Sequence, residues 1–200
     1  MPVNATMKIG ATLVVALLIA WVIGERVGVG QRTAADAITK IPASDPVLTN
    51  DQIRTMLETK IDAPELSVIT GEGKHSLKQE RGKVVLVDFW GTWCGPCRDS
   101  IPGILRVYNS RKDKGFTVIG VALEQDDGKR VPAFVKSMGM NYTVGLPNNK
   151  EELKNYPFNS LPAMLLVDRQ GRIRWAQEGY SSQLEKHMSQ LVDALLEEKS

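Results

Sequence analysis

Three kinds of hydrophobic pattern follow one another along the chain. Residues 9–23, IGATLVVALLIAWVI, are apolar throughout and are bounded by Lys8 and by Glu25-Arg26. Residues 25–60 carry no sustained period and several small or helix-breaking residues. They hold one short helical pattern, with Thr49 and Gln52 spaced as a capping box and Ile53, Met56 and Leu57 on one face. From residue 61 onwards, strand and helix signals alternate.

In that last region, LSVIT (66–70) and HSL (75–77) flank Gly71-Glu72-Gly73 and predict a small hairpin. KVVLVDFW (83–90) is a nearly continuous β-branched run, which marks a strand buried on both faces. A helix is expected from about Cys94 to Lys112. Pro102 should kink it without ending it, because Ile101, Ile104, Leu105 and Tyr108 keep helical spacing across the proline. FTVIGVAL (116–123) is the next strand. Asp126 and Asp127 offer caps for a helix through Phe134 to Met138, closed by Gly139. YTVGL (142–146) is a short strand, and NKEELKNY (149–156) a short helix capped by Asn149. AMLLVD (163–168) and RIRWAQE (172–178), joined by Arg169-Gln170-Gly171, predict an antiparallel hairpin. The chain closes on an amphipathic helix, with Ser182 and Glu185 as capping box and Leu184, Met188, Leu191 and Leu195 buried. A βαβ-rich sheet ending in ββα is a compact α/β layer fold.

The N-terminal run lies between the core of a signal peptide and a full membrane span of about 20 residues. The best cleavage pattern, Ala35-Asp36-Ala37, sits far past it and carries a charge in the middle. The expected organisation is therefore an uncleaved anchor over residues 1–24, a tether with a short helix over 25–60, and a folded domain over 61–200. Cleaved or not, the segment puts the domain outside the cytoplasm. A fully flexible tether would span about 30–36 Å, keeping the domain near the membrane surface.

Composition adds little except by exclusion. A hydrophobic content of 42% supports a full core, and the net charge of +2 with scattered basic residues gives no nucleic-acid footprint.

The chemistry is concentrated in VDFWGTWCGPCRDSIP (87–102), which holds both cysteines of the chain, Cys94 and Cys97. As a staple, so small a ring contributes about 2 kcal/mol, less than the roughly 3 kcal/mol of a 15-residue loop. A zinc site needs four ligands, and the only histidines, His75 and His187, lack ligand spacing and read as solvent-facing. No metal is expected. A redox pair accounts for the neighbours as well. A buried strand feeds through Gly91-Thr92-Trp93 into a helix whose first turn holds Cys94, beside free backbone N–H groups and the positive end of the helix dipole. Lowering a thiol pKa from about 8.5 to about 7 raises the thiolate fraction at pH 7 from about 3% to about 50%. Reduced nucleophilicity takes back roughly a factor of five, leaving about a threefold gain in attack rate and a better leaving group. Gly95 and Pro96 hold the turn that brings Cys97 within reach, and proline suits a first helical turn.

VDFWGTWCGPC resembles the active-site motif of thioredoxin almost letter for letter, and the resemblance covers residues 62–198. The DAPELSV opening, the GKHSLKQERGKVVLVDFW lead-in and the extra strand–helix segment before LPAMLLVDRQGRI are similar to the membrane-anchored, extracytoplasmic reductases of the TlpA/ResA type. That resemblance implies a thioredoxin fold: a central mixed β-sheet flanked by helices, with an N-terminal hairpin and an inserted strand–helix segment. It implies Cys94 as the attacking and Cys97 as the resolving cysteine, with no cofactor beyond their redox-active disulfide. Pro162 falls at the family's cis-proline. Trp93, Gly95, Pro96, Leu161 and Pro162 are then the substrate-binding residues, with Trp93 exposed and Trp90 supporting from below.

Asp88 sits inside the buried strand, where an acid is costly unless paired or protonated. The competing reading is a surface position on an edge strand. Thioredoxin has an aspartate there, which assists deprotonation of the resolving thiol, whereas many TlpA-type relatives carry asparagine. Glu124 is a second candidate acid, set against a solvated turn formed with Gln125, Asp126 and Asp127. SLPAM (160–164) departs from the family in lacking hydroxyl residues after the proline, and the Gly-x-Pro-Glu-Thr pattern of reductases dedicated to cytochrome c maturation is absent. The resemblance implies a single-pass protein of a bacterial cell membrane, its domain on the periplasmic side. Its partners would be disulfide-bearing exported proteins, with apocytochrome c a candidate, and a membrane thiol–disulfide electron donor. A thiol oxidant of exported proteins, or a membrane-tethered interaction domain with a closed structural disulfide, are the alternatives.

Overall fold

The computed structural model describes residues 47–156 and 158–198. The proposed anchor and most of the tether lie outside the described residues, and among these no helix is long and apolar enough to cross a membrane. In chain order the elements are α1 (Asn50–Met56), β1 (Ile61–Asp62), β2 (Ser67–Thr70), β3 (Gly73–Ser76), a 3-10 turn (Leu77–Glu80), β4 (Val84–Trp90), α2 (Gly95–Arg111), β5 (Phe116–Ala122), α3 (Val131–Met138), β6 (Thr143–Pro147), α4 (Lys150–Leu153), β7 (Ala163–Val167), β8 (Arg172–Glu178) and α5 (Leu184–Glu197).

The eight strands form one mixed sheet in the order β1-β8-β7-β4-β5-β6-β2-β3. β4 lies near its middle, parallel to β5 and antiparallel to β7. Every residue of β4 is buried, as its unbroken apolar run requires. Alternation sends Val84, Leu86 and Trp90 into a core shared with α2 and α5, and Val85, Val87 and Phe89 into a second core on the other face. The long helices α2 and α5 and the apolar side of α3 all fill the first core. Leu77 of the 3-10 turn, Leu153 of α4 and Tyr156 close the second. The β2–β3 hairpin extends the sheet beyond β6.

The capping box of α1 forms as its spacing predicts. The helix also packs into the domain: Leu48, Met56 and Leu57 belong to the first core. The side-chain amide of Gln190 exchanges two 2.9 Å hydrogen bonds with the backbone of Leu48. Buried Arg174 donates to the Leu57 carbonyl and pairs with Asp168 and Glu198.

Three local expectations are corrected. α3 begins at Val131 with Arg130 as its N-cap, not at Asp126 or Asp127, because Asp127 and Gly128 take positive φ and form a turn first. Glycine suits position 128, whose φ of +72° L side chains rarely adopt, and a Cβ there would push the Leu146 methyls aside. α5 starts after Gln183 without a side-chain cap, and Glu185 binds Arg106 of α2 through two hydrogen bonds instead. By contrast, α2 runs on through Pro102 to Arg111, as the helical spacing across the proline predicts. His187 is buried at 1% exposure, on the stripe of α5 that faces the core.

Candidate active site

The end of β4 delivers the chain through Gly91, Thr92 and Trp93 to Cys94, the N-cap residue of α2. Its sulfur accepts a hydrogen bond from the Cys97 N–H at 3.2 Å, which satisfies one of the free donors of the first turn. Pro96 occupies that same turn, where its missing N–H costs nothing. Cys94 and Cys97 are joined by a disulfide. Cys97 is fully buried, whereas Cys94 retains 5% exposure. Cys94 lines an open groove of about 580 Å³ together with Trp93, Gly95, Pro96, Leu123, Phe158, Asn159, Ser160 and Leu161.

The loop before Cys94 is held from several sides. Trp93 is half exposed, and its indole N–H donates to the Leu123 carbonyl at 3.0 Å. Gly91 allows this fold-back, since a Cβ there would lie 2.7 Å from the Trp93 Nε1. Glu124 accepts hydrogen bonds from the Thr92 N–H at 2.6 Å and the Thr92 hydroxyl at 2.9 Å. Its side chain is only 1% exposed, so Glu124 is no solvated turn residue. Arg98 donates to the Thr92 carbonyl at 2.7 Å. Thr92, which no local pattern marks, is the hub of this network.

The opposite wall of the groove precedes the cis peptide bond Leu161–Pro162. Leu161 lines the groove, whereas Pro162 next to it is buried and does not line it. Trp90, fully buried, stacks on Phe134 with 5.1 Å between ring centroids.

Asp88 is fully buried on the Leu86–Trp90 face of β4, the side on which Cys97 packs. Among the described residues, neither carboxylate oxygen has a hydrogen-bond partner. Burial, which disfavours the charged form, pushes its pKa up to about 7. The Tyr142 phenol is held well above its ordinary value, first by burial and then by the charge of Asp88. Among the described residues, no group of three or more His, Cys, Asp and Glu could hold a metal ion.

A family model for Redoxin matches residues 56–195. The chain belongs to the Redoxin family. It is 32% identical over 139 residues to the thiol-disulfide oxidoreductase ResA of Bacillus thuringiensis subsp. konkukian, covering 68% of this chain and 80% of that protein. Among solved structures, the thioredoxin domain of a thiol-disulfide oxidoreductase from Bacteroides vulgatus superposes with a TM-score of 0.60 at 32% identity, covering 68% of this chain and 99% of that one. A thioredoxin family thiol:disulfide interchange protein from Chlorobium tepidum does so with a TM-score of 0.60 at 26% identity, covering 68% and 97%. The described residues thus form a thioredoxin-fold, ResA-like thiol–disulfide oxidoreductase domain with a redox-active pair at Cys94 and Cys97.

Proposed function

We propose that this Redoxin-family protein reduces disulfides in exported proteins from the outer side of a bacterial cell membrane, held there by residues 1–24. Apocytochrome c is one candidate substrate. The observation that carries the reading is the placement of unpaired, buried Asp88 behind a cysteine pair whose Cys94 opens onto a groove.

In the reduced protein, the Cys94 thiolate attacks a substrate disulfide and forms a mixed disulfide, releasing one substrate thiolate. The groove lined by Trp93, Pro96 and Leu161, next to the buried Pro162, holds the substrate chain beside the sulfur. Asp88, whose pKa of about 7 leaves part of the population as carboxylate at neutral pH, takes the proton of the Cys97 thiol in that form, and the Cys97 thiolate attacks the Cys94 sulfur. The second substrate thiolate leaves, and Cys94–Cys97 closes. Two electrons have passed to the substrate, and the disulfide state described above is the product. A membrane dithiol donor restores the reduced pair by the same exchange in reverse. Glu124 holds the loop of Thr92 and takes no step in this exchange.

A Cys97→Ser variant cannot resolve the mixed disulfide. Expressed with its N-terminal segment in a bacterial host, it should accumulate in the membrane fraction bound through Cys94 to exported proteins. Capture of cytoplasmic proteins only would overturn the location, and a mature N-terminus near Ala34 to Asp45 would overturn the anchor.

A further inference from the structure

One oxygen of Glu178, Oε2, accepts three hydrogen bonds: from the Asn159 N–H at 3.1 Å, the Ser160 N–H at 3.1 Å and the Ser160 hydroxyl at 3.0 Å. Two successive backbone N–H groups converging on one anionic oxygen form a small nest. Charge-assisted bonds of this kind are about twice as strong as neutral ones. The residues so held stand in the wall of the groove facing Cys94, where Phe158, Asn159, Ser160 and Leu161 are consecutive.

The ladder explains why a side chain is needed. β7 begins at Ala163, whose register partner is Glu178, the last residue of β8. Asn159 and Ser160 lie beyond that final rung, so no strand partner orders them. Glu178 continues the ladder with its carboxylate and carries the order of the sheet out to the turn. The other wall has a parallel device, since Glu124 binds the N–H and hydroxyl of Thr92 next to Trp93. Each wall of the groove is tied down by one carboxylate. Glu124 is buried, whereas Glu178 is partly exposed.

We propose that Glu178 is a positioning residue for substrate binding, holding the Asn159–Ser160 turn in the shape that accepts a polypeptide beside Cys94. The inference rests on the reading that this groove takes protein disulfides. Without Glu178, substrate binding must also order the turn, and the penalty falls on association, not on sulfur chemistry. A small disulfide needs only Cys94 and does not meet the turn.

The test compares wild type with Glu178→Ala and Glu178→Gln in the full chain, using insulin and the small disulfide dithionitrobenzoate. Alanine should raise KM for insulin about fivefold to tenfold while leaving kcat within about twofold, the pattern of lost uniform binding. Its rate with the small disulfide should stay unchanged at temperatures where the variant is fully folded. Glutamine keeps an acceptor oxygen and should recover most of the insulin KM. Amide hydrogen exchange should speed up at Asn159 and Ser160 in the alanine variant but not within β7. An unchanged insulin KM, equal losses on both substrates, or unchanged exchange at the two amides would overturn the proposal. A wild type that fails to reduce insulin would overturn the reductase reading instead, while the exchange rates would still decide whether Glu178 holds the turn.

Discussion

Asp88 stands directly opposite Gly120 in the parallel pairing of β4 with β5. A Cβ on Gly120 would lie 3.1 Å from the Trp90 Nε1 and 3.3 Å from the Tyr142 Cε2. Because glycine leaves that space free, the indole and the phenol ring close over the strand beside the acid. Desolvation follows from this packing, and it keeps Asp88 protonated in a range where exposed carboxylates are charged.

Asp88→Asn should therefore stabilise the oxidised protein at neutral pH and slow its turnover. The folded pKa of about 7 lies above the unfolded value of 3.8. Between those values the folded state binds the extra proton, so wild-type stability falls as pH rises from about 4 to 7 and then levels off. The variant lacks this loss, and its advantage should grow over the same window towards at most about 4 kcal/mol. Losing the proton acceptor should slow turnover roughly tenfold or more. Urea melts and reductase assays between pH 4 and 8 measure both effects. A pH-independent stability difference with unchanged turnover would contradict the role given to Asp88.

Glu124→Ala should cost about 1–3 kcal/mol, because the Thr92 N–H loses a charged partner in a largely buried place. Urea melts give the size of the loss. Hydrogen exchange at Thr92 should accelerate in parallel, and a variant as stable as wild type would show that the clamp is dispensable.

In the reduced protein, Cys94 should alkylate well before Cys97. Cys94 caps α2 and faces the groove, whereas Cys97 is fully enclosed. Iodoacetamide labelling over a pH series, followed by peptide mass mapping, reads the order directly. Faster labelling of Cys97 would reverse the two roles.

Much of this site is legible in the chain because its signals are local. The apolar run 83–90 buries Asp88, and the strand-to-helix junction places Cys94 at an N-cap. What escapes local reading depends on distant partners. Glu124 meets Thr92 across 32 positions, and Glu178 meets Ser160 across 18. The start of α3 is set by Gly128 against Leu146, not by the aspartates that offer caps. His187 differs again: it lies three residues after Leu184 and four before Leu191, so its spacing places it on the buried stripe that its polarity argues against.

Cys94–Cys97 is a working redox couple and not a structural clasp. Equilibrating the protein with dithiothreitol buffers and quantifying free thiols gives its midpoint potential. A working couple should show a midpoint above about −300 mV, where catalytic pairs lie. A pair that stays oxidised below about −300 mV would behave as a structural disulfide, and Cys94–Cys97 would then be no redox couple.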